Sequence, residues 1–282
     1  MSEFLEAVRS YPLMQHAVVA ALLVSVSSGV VGTYVVVRRI SYLAGGIAHC
    51  VLGGMGAAVW LKHRYGLEFI EPLHGAVMAA VVAALIIGLV SLRARQREDT
   101  VIGALWAVGM AAGLLFIWAT PGYSTNLMSY LFGNILMVRV DDLMLIAVLD
   151  VVVAGIAVLF YHELMAVCFD EEFARLRGVN VELFYLLLLC LTALTVVLLV
   201  TVVGIVMTIA LLTLPAAIAG QFAKTLWQNM LLAVLVSAAC SVGGLALSYG
   251  PDLPAGATII LLAGAAYLVV TVGKAILRRG GR

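Results

Sequence analysis

The sequence predicts an all-α polytopic membrane protein with about eight to nine transmembrane helices, and three observations lead to this fold class. The 282-residue chain is 64% hydrophobic and 11% charged, whereas soluble domains are about 45–50% apolar and about 25% charged. Its mean hydropathy of +1.15 is an apolar excess that a soluble core cannot hide. The few charged residues fall in short clusters between long apolar runs, as loops between membrane spans would.

The apolar runs define the predicted spans, because a helix needs about 20 apolar residues to cross a bilayer core. In order, they are residues 12–37, 42–61, 72–92, 100–119, 142–161, 183–202, 204–220, 228–248 and 257–277. The seventh run is short and contains Pro215, so a broken or tilted helix is expected there. The run 124–138 is shorter and interrupted by polar residues, which favours an interfacial or re-entrant piece.

The placement of basic residues predicts the orientation. With nine alternating spans, twelve Lys and Arg residues lie on one side of the membrane and four on the other. The positive-inside rule makes the richer side cytoplasmic. The N-terminus is therefore expected outside and the C-terminus in the cytoplasm.

The longest strongly charged connection is HELMAVCFDEEFARLRGVNVE, residues 162–182. Asp170, Glu171 and Glu172 precede Arg175 and Arg177, the order expected along a short helix with acids in its first turn and bases in its last. Gly178 is expected to follow the end of that helix with a positive φ. The charge pattern fits either a solvated loop with a helical turn or a docking helix for a cytoplasmic partner.

Four stretches, in the same order along the chain, resemble the metal-ion ABC transporter permeases, the zinc/manganese importer family. FDEEFARLRGVNV (169–181) is similar to the cytoplasmic coupling segment of that family, and VRRISYLAGGIAHCVLGGMG (37–56) to its second-helix signature. VVGIVMTIALLTLPAAIAGQFA (202–223) resembles its Gly-to-Pro segment, and LALSYGPDLPAGATIILL (245–262) its tail signature. The resemblance runs from about residue 12 to 275.

The resemblance implies a type II ABC importer fold: a single transmembrane permease domain, residues 1–282, in a bacterial-type cytoplasmic membrane. It also implies three protein partners: a second permease subunit, a cytoplasmic ATPase dimer and an extracytoplasmic metal-binding protein. For the second permease subunit, an identical copy is expected rather than a different chain, and no nucleic acid is expected as a partner. The chain has no GxxxxGK[ST] phosphate loop. It is therefore expected to be a transport subunit rather than an enzyme, with no permanent cofactor, a divalent metal as cargo and ATP on the partner.

The resemblance further assigns an ATPase-coupling segment at about residues 164–181. Its expected coupling residues are Phe169, Asp170, Glu171, Glu172, Ala174, Arg175 and Gly178.

The second-helix stretch departs from the family pattern at one position. Many members carry an acidic residue four positions before the signature histidine, which would place two ligands on one helix face. This chain has Gly45 at that position and keeps only His49. The sequence therefore leaves open which metal passes.

A metal ion needs weak ligands to cross hydrocarbon, and ionisable residues inside spans are functional candidates. His49 and Asp150 both fall near the predicted midplane, so a transient metal contact at His49, with Asp150 as a second ligand, is one hypothesis. The other is that each is a structural residue bonded to a neighbouring helix. Glu71 and His74, at i and i+3, are a candidate outer entry site or simply interfacial residues.

Small residues around His49 are expected to bring neighbouring helices close, because small side chains let backbones approach in lipid. The residues assigned to helix packing are Gly45, Gly46, Gly53, Gly54, Gly56 and, in the seventh run, Pro215.

The residues alone leave two other functions open. The same architecture could carry iron or a chelate. An ion-gradient-driven secondary carrier is a different class, although buried charges are sparse for a proton relay and the docking-like segment would have no purpose in it.

Overall fold

The structure, a computed structural model, describes residues 2–93, 98–120, 133 and 135–280. Within these ranges it contains twelve α-helices, one 3₁₀ helix and no strand. The helices are α1 (Ser2–Ser10), α2 (Pro12–Arg38), α3 (Ser41–Tyr65), α4 (Pro72–Arg93), α5 (Glu98–Trp118), α6 (Val140–Leu159), α7 (Tyr161–Phe169), α8 (Glu171–Leu176), α9 (Val181–Val203), α10 (Ile205–Ala219), α11 (Leu226–Tyr249) and α12 (Ala255–Gly280), with the 3₁₀ helix at Ile135–Met137.

Eight of these helices are long and apolar enough to cross a membrane, and they match eight of the nine predicted runs. The remaining run, 204–220, forms the 15-residue helix α10, about 22 Å long at 1.5 Å per residue. Of the two expectations for this run, the break is wrong, because α10 continues through Pro215, and the tilt stays a prediction. Proline has no backbone N–H, so one helical hydrogen bond is missing at Pro215. Helix α10 packs against α2, α11 and α12, and these contacts stabilise it despite the missing hydrogen bond.

One end of the helix bundle carries the basic clusters. Arg38, at the end of α2, pairs with Glu171 of α8. Its guanidinium also lies 5.5 Å from the centre of the Tyr185 ring on α9. The Tyr185 hydroxyl donates to the Ser91 hydroxyl near the end of α4, at 3.4 Å. The ends of α2 and α4 and the segment α7–α8 therefore meet at this end, called here the basic end.

The last three helices also reach the basic end. Trp227, at the start of α11, lies edge-on to Tyr161 of α7, with ring centres 6.5 Å apart. Lys274 of α12 places its Nζ 4.6 Å from the centre of the Phe222 ring, just after α10. Helix α10 therefore ends at the basic end and crosses the bundle, as nine alternating passes require. The membrane side of this end stays a prediction from the positive-inside rule.

Helices α2 and α9 form the interior of the bundle. Helix α2 packs against α6, α9, α10 and α11, and α9 packs against α2, α3, α4, α6 and α10. Helices α5, α6 and α12 lie at the periphery and expose apolar side chains such as Leu115, Val151 and Leu268. Exposed apolar helix faces suit contact with lipid or with another subunit.

Gly133, two residues before the 3₁₀ helix, lies where α9 turns into α10. Gly133 has a φ of +68°, and a Cβ there would lie 2.2 Å from the carbonyl carbon of Val203. Only glycine allows this approach of two backbones. Most of the predicted re-entrant piece, 124–138, lies outside the described residues, but Ile135 and Val138 are buried. Gly133 thus packs against the backbone at the joint between α9 and α10.

Candidate functional site

The charged connection after α6 folds as two short helices, α7 and α8. Asp170 ends α7 and is the N-cap of α8, accepting the Phe173 N–H at 2.9 Å. Such a cap satisfies a helix donor that would otherwise be unpaired. Gly178 follows the C-cap with a φ of +81°, the conformation predicted for it. The segment is therefore a defined helical element rather than a loop.

The predicted coupling residues fall into two groups. Ala174 is fully buried, Asp170 caps α8, Glu171 pairs with Arg38 and Gly178 makes the turn. These four hold the segment in place. Phe169, Glu172 and Arg175 are exposed and make none of these contacts, and so are two residues that the sequence did not mark, Phe173 and Leu176.

We call these five residues, Phe169, Glu172, Phe173, Arg175 and Leu176, the docking face. Three of them are large apolar side chains, and Leu176 is 87% exposed. Neither α7 nor α8 is a candidate membrane span. Exposed apolar side chains beside charged ones, outside the spans, are typical of a protein interaction surface.

His49 stacks on an aromatic ring of the neighbouring helix. Its ring centre lies 4.2 Å from that of Trp106 on α5, with an angle of 27° between the planes. Its Nδ1 lies 2.9 Å from the Gly45 carbonyl oxygen. Because a carbonyl only accepts, Nδ1 carries the proton, and a neutral ring keeps its lone pair on Nε2. Nε2 of this partly exposed side chain is therefore the atom that could bind a metal.

The position of the missing acid, Gly45, is lined by bulky side chains. A Cβ at Gly45 would lie 3.3 Å from Ile209 Cδ1 and 3.5 Å from Trp106 Cζ3. A carboxylate there would point into the space next to these two side chains. Trp106, on which His49 stacks, thus lines the space that a second metal ligand at position 45 would occupy.

The other four glycines of this stretch lie at helix contacts too close for a side chain. A Cβ at Gly54 would lie 2.1 Å from the Gly75 carbonyl oxygen of α4. The remaining three face α5: Gly46 meets Ile102, Gly53 meets Gly109 and Gly56 meets Gly113, all below 3.0 Å. Close packing of α3 against α4 and α5 is therefore what these glycines make possible.

Asp150 has a different environment from His49. Its side chain is 4% exposed, and Oδ1 accepts the Ser27 backbone N–H of α2 at 3.0 Å. The ring partners of His49 lie on α3 and α5. The structure therefore gives these two residues no common partner.

Glu71 and His74 lie at the start of α4 and are both exposed. The Glu71 N–H donates to His74 Nδ1 at 3.2 Å, so this nitrogen is occupied by a local backbone contact. Throughout the part of the chain that the structure describes, no group of three or more His, Cys, Asp and Glu side chains is placed to hold a metal ion. Candidate metal contacts in this region are thus single side chains.

Comparison with known proteins agrees with this architecture. The sequence pattern of the ABC 3 transport family matches residues 10–274. The chain is 42% identical over 260 residues to a Chlamydia pneumoniae protein named "Probable metal transport system membrane protein", covering 92% of this chain and 88% of that one. It is 34% identical over 261 residues to the manganese transport system membrane protein MntC of Listeria monocytogenes, covering 92% and 90%.

A solved structure shares the fold. PsaBC from Streptococcus pneumoniae, solved in complex with a Fab, superposes with a TM-score of 0.84 at 29% identity, covering 95% of this chain and 94% of that one. The helical bundle, the eight described helices that are long and apolar enough to cross a membrane, and the family match agree with one another. The chain therefore belongs to the ABC 3 transport family and is a multi-pass permease of the metal-ion ABC transporter class in the bacterial inner membrane.

Proposed function

We propose that this chain is the permease subunit of an ATP-driven importer of a divalent transition metal. The docking face carries this proposal. A capped and anchored pair of short helices leaves Phe173 and Leu176 exposed on its surface, at the basic end of the bundle. The chain has no phosphate loop, so ATP is hydrolysed on a cytoplasmic ATPase subunit that binds this face.

The cargo is a divalent metal that contacts His49 on its way through the membrane. Its free Nε2 supplies one imidazole ligand, and the absence of an acid at Gly45 keeps the contact weak enough for release. The relatives named as manganese transporters favour manganese as the first metal to test, with zinc as the second. An extracytoplasmic binding protein delivers the metal, and a second copy of this chain forms the other half of the channel.

ATPase docking is tested by co-purification. Phe173→Glu and Leu176→Glu each place a charge on the docking face, so the permease should lose its ATPase subunit on affinity purification. Phe69→Glu is the matched control. Phe69 is 75% exposed, between the 50% of Phe173 and the 87% of Leu176, but it lies in the loop between α3 and α4 at the opposite end of the bundle. ATPase binding that survives both changes on α8 would refute the docking proposal.

The metal contact is tested by uptake of radioactive manganese and zinc into cells or vesicles. His49→Phe keeps an aromatic ring on Trp106 but removes the nitrogen donor, so uptake should fall at least about tenfold at equal expression. His63→Ala, on the same helix but exposed, is the control. Normal uptake by His49→Phe would exclude a ligand role. Uptake that continues without any ATPase would instead indicate a secondary carrier.

A further inference from the structure

The side chain of Arg38 joins three elements at the basic end. Nη2 pairs with Glu171 Oε1 of α8. Nη1 donates to the Val167 carbonyl oxygen of α7 at 3.1 Å. The guanidinium plane also lies 5.5 Å from the centre of the Tyr185 ring of α9. The two short helices that carry the docking face are thus attached to the end of α2 by one planar group.

The guanidinium suits this task better than an ammonium would. Its nitrogens lie in a rigid fork, so two of them can bond two acceptors at once while the plane contacts an aromatic ring. A lysine at position 38 would offer one point charge on a flexible stem. The pair is partly shielded from water, so its geometry is more persistent than that of an open surface pair.

Helix α2 is in turn in close contact with the membrane helices at several positions along its length. The Tyr34 hydroxyl, one turn before Arg38, donates to the Ala157 carbonyl oxygen of α6 at 3.1 Å. A Cβ at Gly32 would lie 2.1 Å from the Leu212 carbonyl oxygen of α10, and one at Gly29 would lie 2.5 Å from the Val234 nitrogen of α11. A displacement of α2 therefore displaces three membrane helices with it.

We propose that Arg38 is the positioning residue that transmits movement of the docking face to α2 and hence to the membrane path. This inference rests on the proposed ATPase docking. Arg38 is not part of the docking face, because its partners are the buried Val167 and the Glu171 carboxylate, which is engaged with the guanidinium. Its loss uncouples ATP hydrolysis from transport and leaves the complex assembled.

The experiment uses the complete complex of permease, ATPase and metal-loaded binding protein in proteoliposomes, and measures ATPase retention, ATP hydrolysis and manganese uptake. Glu171→Gln and Arg38→Gln should each keep the ATPase subunit but lower the uptake per ATP hydrolysed by about tenfold. The double variant should be no worse than either single variant, because both remove the same link. Arg38→Lys should retain part of the coupling. Arg39→Gln, an adjacent exposed arginine, should match the wild type.

The possible outcomes separate the two proposals. A wild-type chain that neither binds the ATPase nor transports metal would refute the proposed function. A working wild type with unchanged uptake per ATP in Glu171→Gln, or with effects that multiply in the double variant, would refute the role of Arg38 alone. If the Arg38→Gln complex does not assemble, the uptake per ATP of the other two variants tests the proposal. Glu171→Gln keeps the arginine at the end of α2, and Arg38→Lys keeps a positive charge there.

Discussion

Alanine at Gly54 should destabilise the protein more than any ordinary glycine-to-alanine change in a helix. At the crossing of α3 and α4, a Cβ at Gly54 would lie 2.1 Å from the Gly75 carbonyl oxygen, and a Cβ at Gly75 would lie 2.1 Å from the Gly54 carbonyl oxygen. The two backbones therefore touch reciprocally. Neither obstacle is the movable end of a side chain, so the helices themselves must separate.

The size of the effect follows from this geometry. Moving the new carbon from 2.1 Å to 3.0 Å, the lower limit for real contacts, requires the helices to part by about 0.9 Å. A gap of about 0.5–1 Å forfeits a quarter to a half of each dispersion contact along the crossing. Overpacking costs about 1–3 kcal/mol, and the better helix propensity of alanine returns up to about 1 kcal/mol. With backbone on both sides, the net loss should be about 2 kcal/mol.

Thermal unfolding of the purified permease in detergent measures this loss, and a drop of about 5 °C in the unfolding midpoint is expected for Gly54→Ala. Gly103→Ala on α5 is the matched control, because a Cβ there meets nothing within 4 Å. The variant with alanine at both Gly54 and Gly75 should lose less than the two single losses together, since one separation relieves both clashes. An unchanged midpoint for Gly54→Ala would mean that α3 and α4 do not cross at these glycines.

Three other predictions concern single residues. Asp150→Asn keeps an acceptor for the Ser27 N–H, so its free energy of unfolding should stay within about 1 kcal/mol of the wild type. Asp150→Ala removes the acceptor and should cost about 1–3 kcal/mol. Equal thermal unfolding midpoints for Asp150→Ala and the wild type would contradict the buried hydrogen bond. Gly178→Ala should lose about 1–2 kcal/mol because its φ is +81°, while Gly250→Ala, with a φ of −66° and open space around it, should not. Burial raises the pKa of the Cys168 thiol from 9.0 to about 12, so iodoacetamide labelling of this residue, followed by mass spectrometry, should be slow at pH 8 in the folded protein and fast after unfolding. Because the unfolded thiol ionises first, this group should also make the protein less stable as the pH rises from 9 towards 12; rapid native labelling at pH 8 would refute the burial.

The membrane spans and the short helix α8 could be predicted from the sequence because their signals are local. Long apolar runs set the eight long helices, and the order of acids and bases around Asp170 and Arg175 indicated the helix and its ends. The break at Pro215 could not be judged in this way. Whether a helix survives a missing donor depends on neighbouring helices, which no local pattern describes.

The partners of the site residues could not be predicted, because they come from distant parts of the chain. Nothing in the run 100–119 marks Trp106 as the residue that stacks on His49. Arg38 counted only as a charge for the orientation, although its contacts reach α7, α8 and α9. Phe169, Phe173 and Leu176 did carry a signal, an apolar residue every three to four positions, but the charged residues between them also fitted a solvated loop, so the sequence left both readings open.

The direct joint between α9 and α10 bears on how the protein enters the membrane during synthesis. A straight helix over the 23 residues of α9 and the 15 of α10 would be roughly 57 Å long at 1.5 Å per residue, nearly twice the thickness of a hydrocarbon core. The chain instead reverses at Gly204 alone, and no charged residue lies between Glu182 and Lys224. The two helices can therefore insert together as one hairpin, without moving any hydrophilic loop across the bilayer. Gly133, already synthesised by then, packs against the polar backbone of that reversal in the folded protein.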